Sequence, residues 1–326
     1  MKTNSIKYRN TGIFWLLMLS IISCSKDNAS DNPAPATPKE ISFSQKEIAV
    51  PSQNRSLTDF FWVAKEKNGD VFYIHNNNLD PVTSNRGMYK YVVSNNTFTN
   101  LTWSDNVNSS GYNSIFVADD NYLYYCANNF DRYTIGSNVW VPYDSFYPAT
   151  VKANNGEPGV VVLGSNIYFI GGRSTASQKV KYFDTISKTW INFADYPVNA
   201  PNGPTVATDG SRYIYARSDV PNDFYRLDTQ NVVWQKMADC PANIRKSNNL
   251  NIMGQLNANT IILLGDDKKV YVYNIAENTW KATTTTLPVN DTQGVHLEVA
   301  TNKNKFFVFY KKASNQIGIL EYTLNP

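Results

Sequence analysis

Histidine and cysteine are scarce in this chain, with two histidines and three cysteines among 326 residues. Metal centres and imidazole or thiol catalysis need clusters of such residues, whereas His75 and His296 each fall alone in a predicted strand. The sequence also lacks a Gly-x-Ser-x-Gly motif, a phosphate-binding glycine loop and a dinucleotide fingerprint. We therefore predict no metal site and no cofactor.

An excess of charge is also lacking once the N-terminus is set aside. The formal net charge of +3 is accounted for by Lys2, Lys7 and Arg9, and the rest of the chain holds 27 basic and 27 acidic residues. A nucleic-acid partner would require a basic face. The neutral remainder argues against such a partner.

Residues 1–23 have the composition of a bacterial secretion signal. Basic residues are followed by the apolar run Ile13–Leu19, which extends to Ile22 and includes no acidic residue. This run is too short to span a bilayer as a mature helix. The segment Ile21-Ile22-Ser23-Cys24 resembles the lipobox of bacterial lipoproteins. That resemblance implies that Cys24 carries a lipid and becomes the mature N-terminus, which anchors the protein to a membrane.

The segment after Cys24 is rich in Asn, Pro and Ala, and residues 24–39 are predicted to form a flexible tether. Ser25 at the position after the cysteine resembles the outer-membrane sorting signal. Lys26-Asp27 resembles the export signal of surface lipoproteins in the Bacteroidota. These resemblances imply an outer-membrane lipoprotein, on the cell surface or otherwise facing the periplasm.

The rest of the chain contains a repeat, in which an aromatic residue or leucine is followed seven positions later by an aromatic residue. Second members of successive pairs lie 42, 50, 44 and 46 residues apart, which is typical of repeat architectures that include propellers. The five pairs are Tyr91/Phe98, Tyr133/Trp140, Phe183/Trp190, Leu227/Trp234 and Tyr273/Trp280.

Six hairpins complete the repeating unit, because an apolar run, a polar turn and a β-forming run precede each pair and recur near the C-terminus. Four short strands per unit and six units predict an all-β, six-bladed propeller over residues 40–326. The sixth unit ends after Ile317–Tyr322 and lacks a fourth strand. We predict that Ile41–Val50 supplies this strand and closes the ring. The predicted hairpin strands are Phe60–Ala64 and Val71–His75, Ile115–Ala118 and Tyr122–Cys126, Val160–Leu163 and Ile167–Ile170, Thr205–Ala207 and Tyr213–Ala216, Leu250–Met253 and Ile261–Leu264, and Leu297–Ala300 and Phe306–Tyr310.

The third unit resembles a kelch repeat, in which an apolar strand ends in Gly-Gly and is followed by a Tyr and then a Trp. Ile167–Gly172 matches the strand, with Phe183 and Trp190 at the aromatic positions. The other units depart from this pattern at the glycines and read, for example, Asn76-Asn77 and Ala127-Asn128. The resemblance is to a degenerate kelch propeller. It implies the fold and leaves the function open.

The longest predicted loops join second to third strands and fourth to first strands, which places them on one face of a propeller. Such loops on a rigid scaffold are common binding sites. Arginine suits carboxylates, and aromatic rings suit sugars or protein partners. The pattern leaves open whether the arginines bind a ligand or are solvated. The candidate ligand-binding residues are Arg86, Arg173, Arg217, Arg245, Trp103 and Tyr143.

Two classes of function agree with these features. The first is a non-enzymatic binding or scaffold module for an envelope protein or a glycan, for example as an accessory subunit of an outer-membrane complex. The alternative is a sugar epimerase, since the kelch-like sialic acid mutarotases share a six-bladed layout. Glu157 or His296 could then act as the acid or base. The residues of that family's active site do not map one by one onto this chain.

Overall fold

The chain divides into two compact units, Met1–Lys39 and Glu40–Pro326, and the residues described below belong to the second unit. The predicted signal, the predicted lipidation site Cys24 and the predicted tether lie outside the described residues. The computed structural model describes residues 41–50, 61–65, 69–76, 87–101, 115–119, 121–126, 130–144, 158–172, 178–200, 203–244, 251–289, 295–300, 304–312 and 316–325.

The described residues form 24 strands and no helix, arranged as six four-stranded antiparallel sheets. Blades 1 to 5 each follow chain order, with the first strand innermost. Blade 1 comprises β2 (Phe61–Lys65), β3 (Val71–Asn76), β4 (Gly87–Val92) and β5 (Thr97–Leu101), and blade 2 comprises β6 (Ile115–Ala118), β7 (Tyr122–Cys126), β8 (Phe130–Thr134) and β9 (Val139–Asp144). Blade 3 comprises β10 (Gly159–Leu163), β11 (Asn166–Ile170), β12 (Val180–Asp184) and β13 (Thr189–Asn192), and blade 4 comprises β14 (Thr205–Thr208), β15 (Tyr213–Arg217), β16 (Phe224–Asp228) and β17 (Val233–Lys236). Blade 5 comprises β18 (Met253–Asn257), β19 (Thr260–Leu264), β20 (Lys269–Asn274) and β21 (Thr279–Thr286), and blade 6 comprises β22 (His296–Ala300), β23 (Lys305–Lys311), β24 (Ile317–Leu324) and β1 (Phe43–Ile48).

The innermost strands contact one another in a closed cycle, in which β2 meets β6, each following first strand meets the next, and β22 meets β2. Each blade therefore packs against two neighbours. The predicted all-β, six-bladed propeller is confirmed. The connections between second and third strands and between fourth and first strands leave the ring at one end, here called the long-loop face. The turns between first and second strands and between third and fourth strands lie at the other end, called the short-turn face.

The repeated aromatic pairs are packing elements. Their members occupy directly opposite positions on the third and fourth strands of blades 1 to 5. The rings of Tyr91 and Phe98 stack at 4.4 Å, and those of Tyr273 and Trp280 lie 5.0 Å apart. In addition, Nε1 of Trp280 donates a hydrogen bond to the carbonyl of Ala238 at 3.2 Å, on the connection that leads into blade 5. The repeat therefore holds the outer strands to the ring.

Blade 6 takes its outermost strand from the other end of the chain. β1 pairs antiparallel with β24 from Phe43 opposite Leu324 to Ile48 opposite Ile319. Phe43 packs edge-on against Phe306 at 5.1 Å, and both Phe43 and Ile48 are buried. Their side chains belong to different apolar clusters, one shared with blade 5 and one shared with blade 1. β1 therefore stabilises both faces of the last blade.

The first strand of the fifth unit differs from the prediction, which placed it at Leu250–Met253. The observed strand begins at Met253 and runs to Asn257. The strand contains polar residues that an apolar pattern cannot detect, and Gln255 donates from Nε2 to the carbonyl of Asn257 at 3.1 Å. Gly254 was predicted as a turn residue. It instead lies within the strand, where a Cβ would come within 2.3 Å of the Val299 side chain in blade 6. Close packing between blades explains this glycine.

Tight turns join the third and fourth strands, and the last residue of each such turn in blades 1 to 5 has a positive φ. Asparagine fills this position in three blades, as is usual for the left-handed region. Blade 4 instead carries Val232 at φ 56°, a conformation that β-branched residues rarely adopt. Val232 is 48% exposed, so its side chain contributes little packing to offset this strain.

We expect Val232→Asn to stabilise the protein by about 1 kcal/mol, because asparagine tolerates the left-handed conformation better than valine. Urea unfolding measures the change. The matched control is Asn278→Val at the equivalent turn of blade 5. It should destabilise, since Oδ1 of Asn278 also accepts hydrogen bonds from Tyr273 and the Ala238 amide at 2.7 and 2.8 Å. A neutral or destabilising Val232→Asn would contradict the strain argument.

We also expect ring closure by β1 to be essential to the domain. Deleting residues 40–50 removes the buried Phe43 and Ile48 and exposes the edge of β24. The deletion should lower the melting temperature strongly or abolish folding, whereas deletion of residues 25–38 should change it little. Phe43→Ala keeps the strand and should cost about 3 kcal/mol in urea unfolding. An unchanged melting temperature after deletion of residues 40–50 would refute the requirement.

Candidate functional site

Two of the six residues predicted to bind a ligand, Arg217 and Tyr143, are among the described residues. Arg86, Arg173, Arg245 and Trp103 lie outside them, and so does Glu157, the alternative acid or base. The described part of the long-loop face belongs mainly to blades 3 to 5. Its best-defined feature is the network around Arg217.

Arg217 is the last residue of β15 and only 2% exposed. Its guanidinium donates to the carbonyl of Val220 at 2.7 Å and that of Ala242 at 3.3 Å, and also to the carbonyl of Ser218. The carbonyls of Ser218 and Val220 belong to the turn between β15 and β16, and that of Ala242 belongs to the connection between blades 4 and 5. Arg217 therefore links the turn between β15 and β16 to the connection between blades 4 and 5.

A buried carboxylate lies in the same network. Asp223 is 1% exposed and accepts hydrogen bonds from the Tyr196 hydroxyl at 2.5 Å and from the hydroxyl and amide of Ser218. Burial raises the pKa of Asp223, and the hydrogen bonds and the positive charge of Arg217 oppose that increase. Burial, together with the charge of Asp223, raises the pKa of Tyr196 well above its usual range. Tyr196 comes from the connection between blades 3 and 4, so the network joins three consecutive blades.

Tyr143 lies in β9 and packs between blades 2 and 3. Its hydroxyl donates to the carbonyl of Thr185 at 3.3 Å, and its ring meets Phe183 at 5.6 Å. The guanidinium of Arg132 lies 4.2 Å from the centre of the same ring, in cation–π geometry. The Tyr143 side chain is thus already in contact with residues of blades 2 and 3.

A second polar cluster lies on the innermost strands, between blades 6 and 1. Nε2 of His296 is 2.7 Å from Oε1 of Glu298, and both side chains are largely buried. Lys65, at the end of β2, donates from Nζ to the Val299 carbonyl at 2.8 Å. Burial lowers the pKa of Lys65, and the charge of Glu298 opposes that decrease. Nδ1 of His296 has no hydrogen-bond partner among the described residues.

This cluster of His296, Glu298 and Lys65 departs from the repeat. In the other five blades, the residue of the first strand that is equivalent to Glu298 by its pairing with the second strand is small or aliphatic. These residues are Ala64, Val117, Val161, Ala207 and Gly254. Of these three residues, His296 could be selected as a candidate from the sequence, whereas its partner Glu298 and the nearby Lys65 were missed. The signal was present, because residues two apart in a strand share a face. Imidazole, carboxylate and amine groups at one place can donate and accept protons.

A third group of polar residues lies between blades 1 and 2, near the long-loop face. The ring of His75 meets that of Tyr125 at 5.2 Å, and Asp131 is the register partner of Tyr125. Asp131 is 4% exposed, and its Oδ2 has no hydrogen-bond partner in the described part of the chain. Burial raises the pKa of Asp131 to about 6. Burial, and to a lesser degree the charge of Asp131, raises the pKa of the Cys126 thiol.

The described residues contain no group of three potential metal ligands, and Cys126 and Cys240 are free and buried. The described part of the chain also has no apolar helix of membrane-spanning length. No protein-family model matches this sequence, and no curated protein shows significant sequence similarity to it. The function is therefore argued from the geometry.

The pKa of Asp131 predicts how stability depends on pH. Its ordinary value is 3.8, and the folded-state value is about 6, so the native state binds the proton more tightly than the unfolded state. Stability should therefore fall as pH rises from about 4 to about 6. Asp131→Asn removes this ionisation and should stabilise the protein at pH 7 by no more than about 3 kcal/mol.

Urea unfolding at pH 4 and pH 7 measures this difference, which should disappear at pH 4. Asp239→Asn is the matched control, since Asp239 is 53% exposed and pairs with Lys236 on the surface. It should have little effect at either pH. Equal stability of wild type and Asp131→Asn at pH 7 would show that the carboxyl is not desolvated.

Proposed function

We propose that this protein is a lipid-anchored, kelch-like propeller of the bacterial outer membrane, with an envelope protein or a glycan bound at its long-loop face. The observation that carries this proposal is a closed six-bladed ring in which the buried network of Arg217 and Asp223 joins three connections of the long-loop face around blade 4. A ligand surface on such connections is pre-organised, and this reduces the entropy lost on binding.

The proposed binding surface consists of Arg86, Arg173, Arg245 and Trp103, which are assigned to this face from the sequence. Arg217 and Tyr143 are assigned supporting roles, because the terminal nitrogens of Arg217 donate to backbone carbonyls and the Tyr143 ring packs against Phe183. Arginines would hold the acidic groups of a glycan or a protein, and the indole ring would stack on a sugar or fill an apolar pocket.

Two features support the kelch-like assignment. In the third unit Gly171 and Gly172 follow β11 with φ angles of 68° and 141°, which disfavour other residues. Phe183 and Trp190 stand opposite each other on the next two strands of that blade. The lipobox-like Cys24 and the composition of residues 24–39 support the anchor and the Bacteroidota-type outer-membrane location, on the cell surface or facing the periplasm.

Capture of partners by the native lipoprotein, from detergent-solubilised membranes, tests the proposal. A stoichiometric envelope protein or a bound glycan is expected. Combined substitution of Arg86, Arg173, Arg245 and Trp103 by alanine should reduce capture at least tenfold. The matched control is Arg226→Ala, because Arg226 lies on β16, stacks on Tyr213 and bonds Gln235 away from this face. Equal capture by both variants would remove the long-loop face from consideration.

The alternative, a sugar epimerase similar to the sialic acid mutarotases, is favoured by the cluster of His296, Glu298 and Lys65. Proton transfer at an anomeric centre needs an acid or base, and such groups lie together in this cluster. Exchange NMR with a carboxylated sugar distinguishes the two functions. Faster anomer exchange that is lost in His296→Gln supports the enzyme, and an unchanged exchange rate supports the binding module.

A further inference from the structure

The direction of β1 determines where the N-terminal segment meets the propeller. β1 is the fourth strand of its blade, and fourth strands begin at the short-turn face. Phe43, the first residue of β1, is opposite Leu324, near the end of the chain. The carbonyl of Ser42 accepts a hydrogen bond from the Asn325 amide at 3.0 Å, which fixes this point. The chain therefore enters the propeller on the face opposite the long loops.

The short-turn face carries exposed aliphatic side chains on three consecutive blades. Ile186, in the turn between β12 and β13 of blade 3, is 79% exposed. Val139, at the start of β9, is 49% exposed. Val232, the last turn residue before β17, and Val233, the first residue of β17, are 48% and 52% exposed. The residues at the same strand position in blades 1 and 5 are Thr97 and Thr279. These four aliphatic residues are called the aliphatic arc.

The aliphatic arc and the start of β1 lie on opposite sides of the same face. In a ring of six, blade 3 is across from blade 6, and the arc is centred on blade 3. A single attachment at blade 6 would leave the ring free to tilt. Apolar contacts at blade 3 would supply a second attachment and would hold the ring parallel to a surface.

We propose that the short-turn face rests on the lipid bilayer, with the aliphatic arc in the headgroup region and the long-loop face directed away from the membrane. This inference rests on the proposed lipid at Cys24. Exposed aliphatic residues with a neighbouring lysine suit a phospholipid interface, and Lys188 is exposed two residues from Ile186. The partner is thus a lipid surface and not a second protein.

The length of the segment between Cys24 and Ile41, the first described residue, favours this contact. Sixteen residues, 25–40, would span a root-mean-square distance of roughly 20–24 Å as a flexible chain. A domain of this size has a radius of gyration of roughly 19 Å. The face that holds the start of β1 would therefore remain close to the bilayer, at an effective concentration in the millimolar range. Weak apolar contacts suffice under these conditions.

Site-specific quenching by brominated lipids tests the orientation. A fluorophore is attached to the cysteine of the Ile186→Cys variant of the full-length lipoprotein. The labelled protein is placed in vesicles of phosphatidylcholine and phosphatidylglycerol that contain brominated lipids. Asn243→Cys, on the exposed connection after blade 4, is the matched control on the long-loop face. The two described native thiols are buried and should react slowly. We expect brominated lipids to lower the fluorescence of the label at position 186 at least threefold, and to lower that of the label at position 243 by less than about a tenth.

A second arm separates this surface from the lipid anchor itself. Residues 25–326 with an N-terminal hexahistidine are attached to nickel-chelating lipids, and the same two labels are compared. If mass spectrometry finds no lipid on Cys24, the proposed anchor fails, but this arm still tests the face. Equal quenching at positions 186 and 243, or none at position 186 in this arm, overturns the orientation. Ile186→Asp combined with Val233→Asp should abolish quenching of a label at Val232→Cys.

Discussion

Closure of the ring is the constraint on which the rest of this structure depends. Each blade presents two apolar faces, and each face is covered only because a neighbouring blade lies against it. Five of the six junctions in the ring join blades that are consecutive in the chain, and the junction between blades 6 and 1 closes the ring. Blade 6 is different, because its outer strand comes from the opposite end of the chain. Phe43 covers one side of that blade and Ile48 the other. The six residues of β1 thus determine whether the two faces of blade 6 are buried or exposed to water at its outer edge.

Ionisable side chains of the described innermost strands lie at the junction between blades 6 and 1. Buried ionisable groups lose hydration energy that a hydrogen bond restores only in part. At this position the other blades have small or aliphatic residues, whereas blade 6 has Glu298, paired with His296 and close to Lys65. Lys65 also bonds the backbone of the neighbouring blade. Packing alone does not require such groups. Their presence is the main physical argument for chemistry inside the ring, in contrast to the network of Arg217, whose two terminal nitrogens donate to backbone carbonyls.

The fold could be predicted from the sequence because its signals are local. Members of an aromatic pair are seven residues apart and face each other across one tight turn, so their spacing directly reflects the strand register. The strand Met253–Asn257 was misplaced because its polar residues interrupt the apolar pattern, and the Val299 side chain that packs against Gly254 is distant in sequence. The same limit applies to the site. An arginine at a loop boundary predicts a charged group near a face, but the burial of Arg217 depends on the connection that carries Ala242. Tyr143 is similar, since its neighbours belong to another blade.

The strand that closes the ring also determines the face at which the N-terminal segment enters the propeller. A blade with four antiparallel strands has its first and third strands running in one direction and its second and fourth in the other. An N-terminal segment that supplied a third strand would begin at the long-loop face, whereas one that supplies a fourth strand begins at the short-turn face. β1 is a fourth strand, as its pairing with β24 shows. Any anchor N-terminal to Phe43 would therefore be attached at the short-turn face, and the irregular connections lie at the opposite end of the ring. In this architecture the strand that completes the core would also determine which face meets a partner.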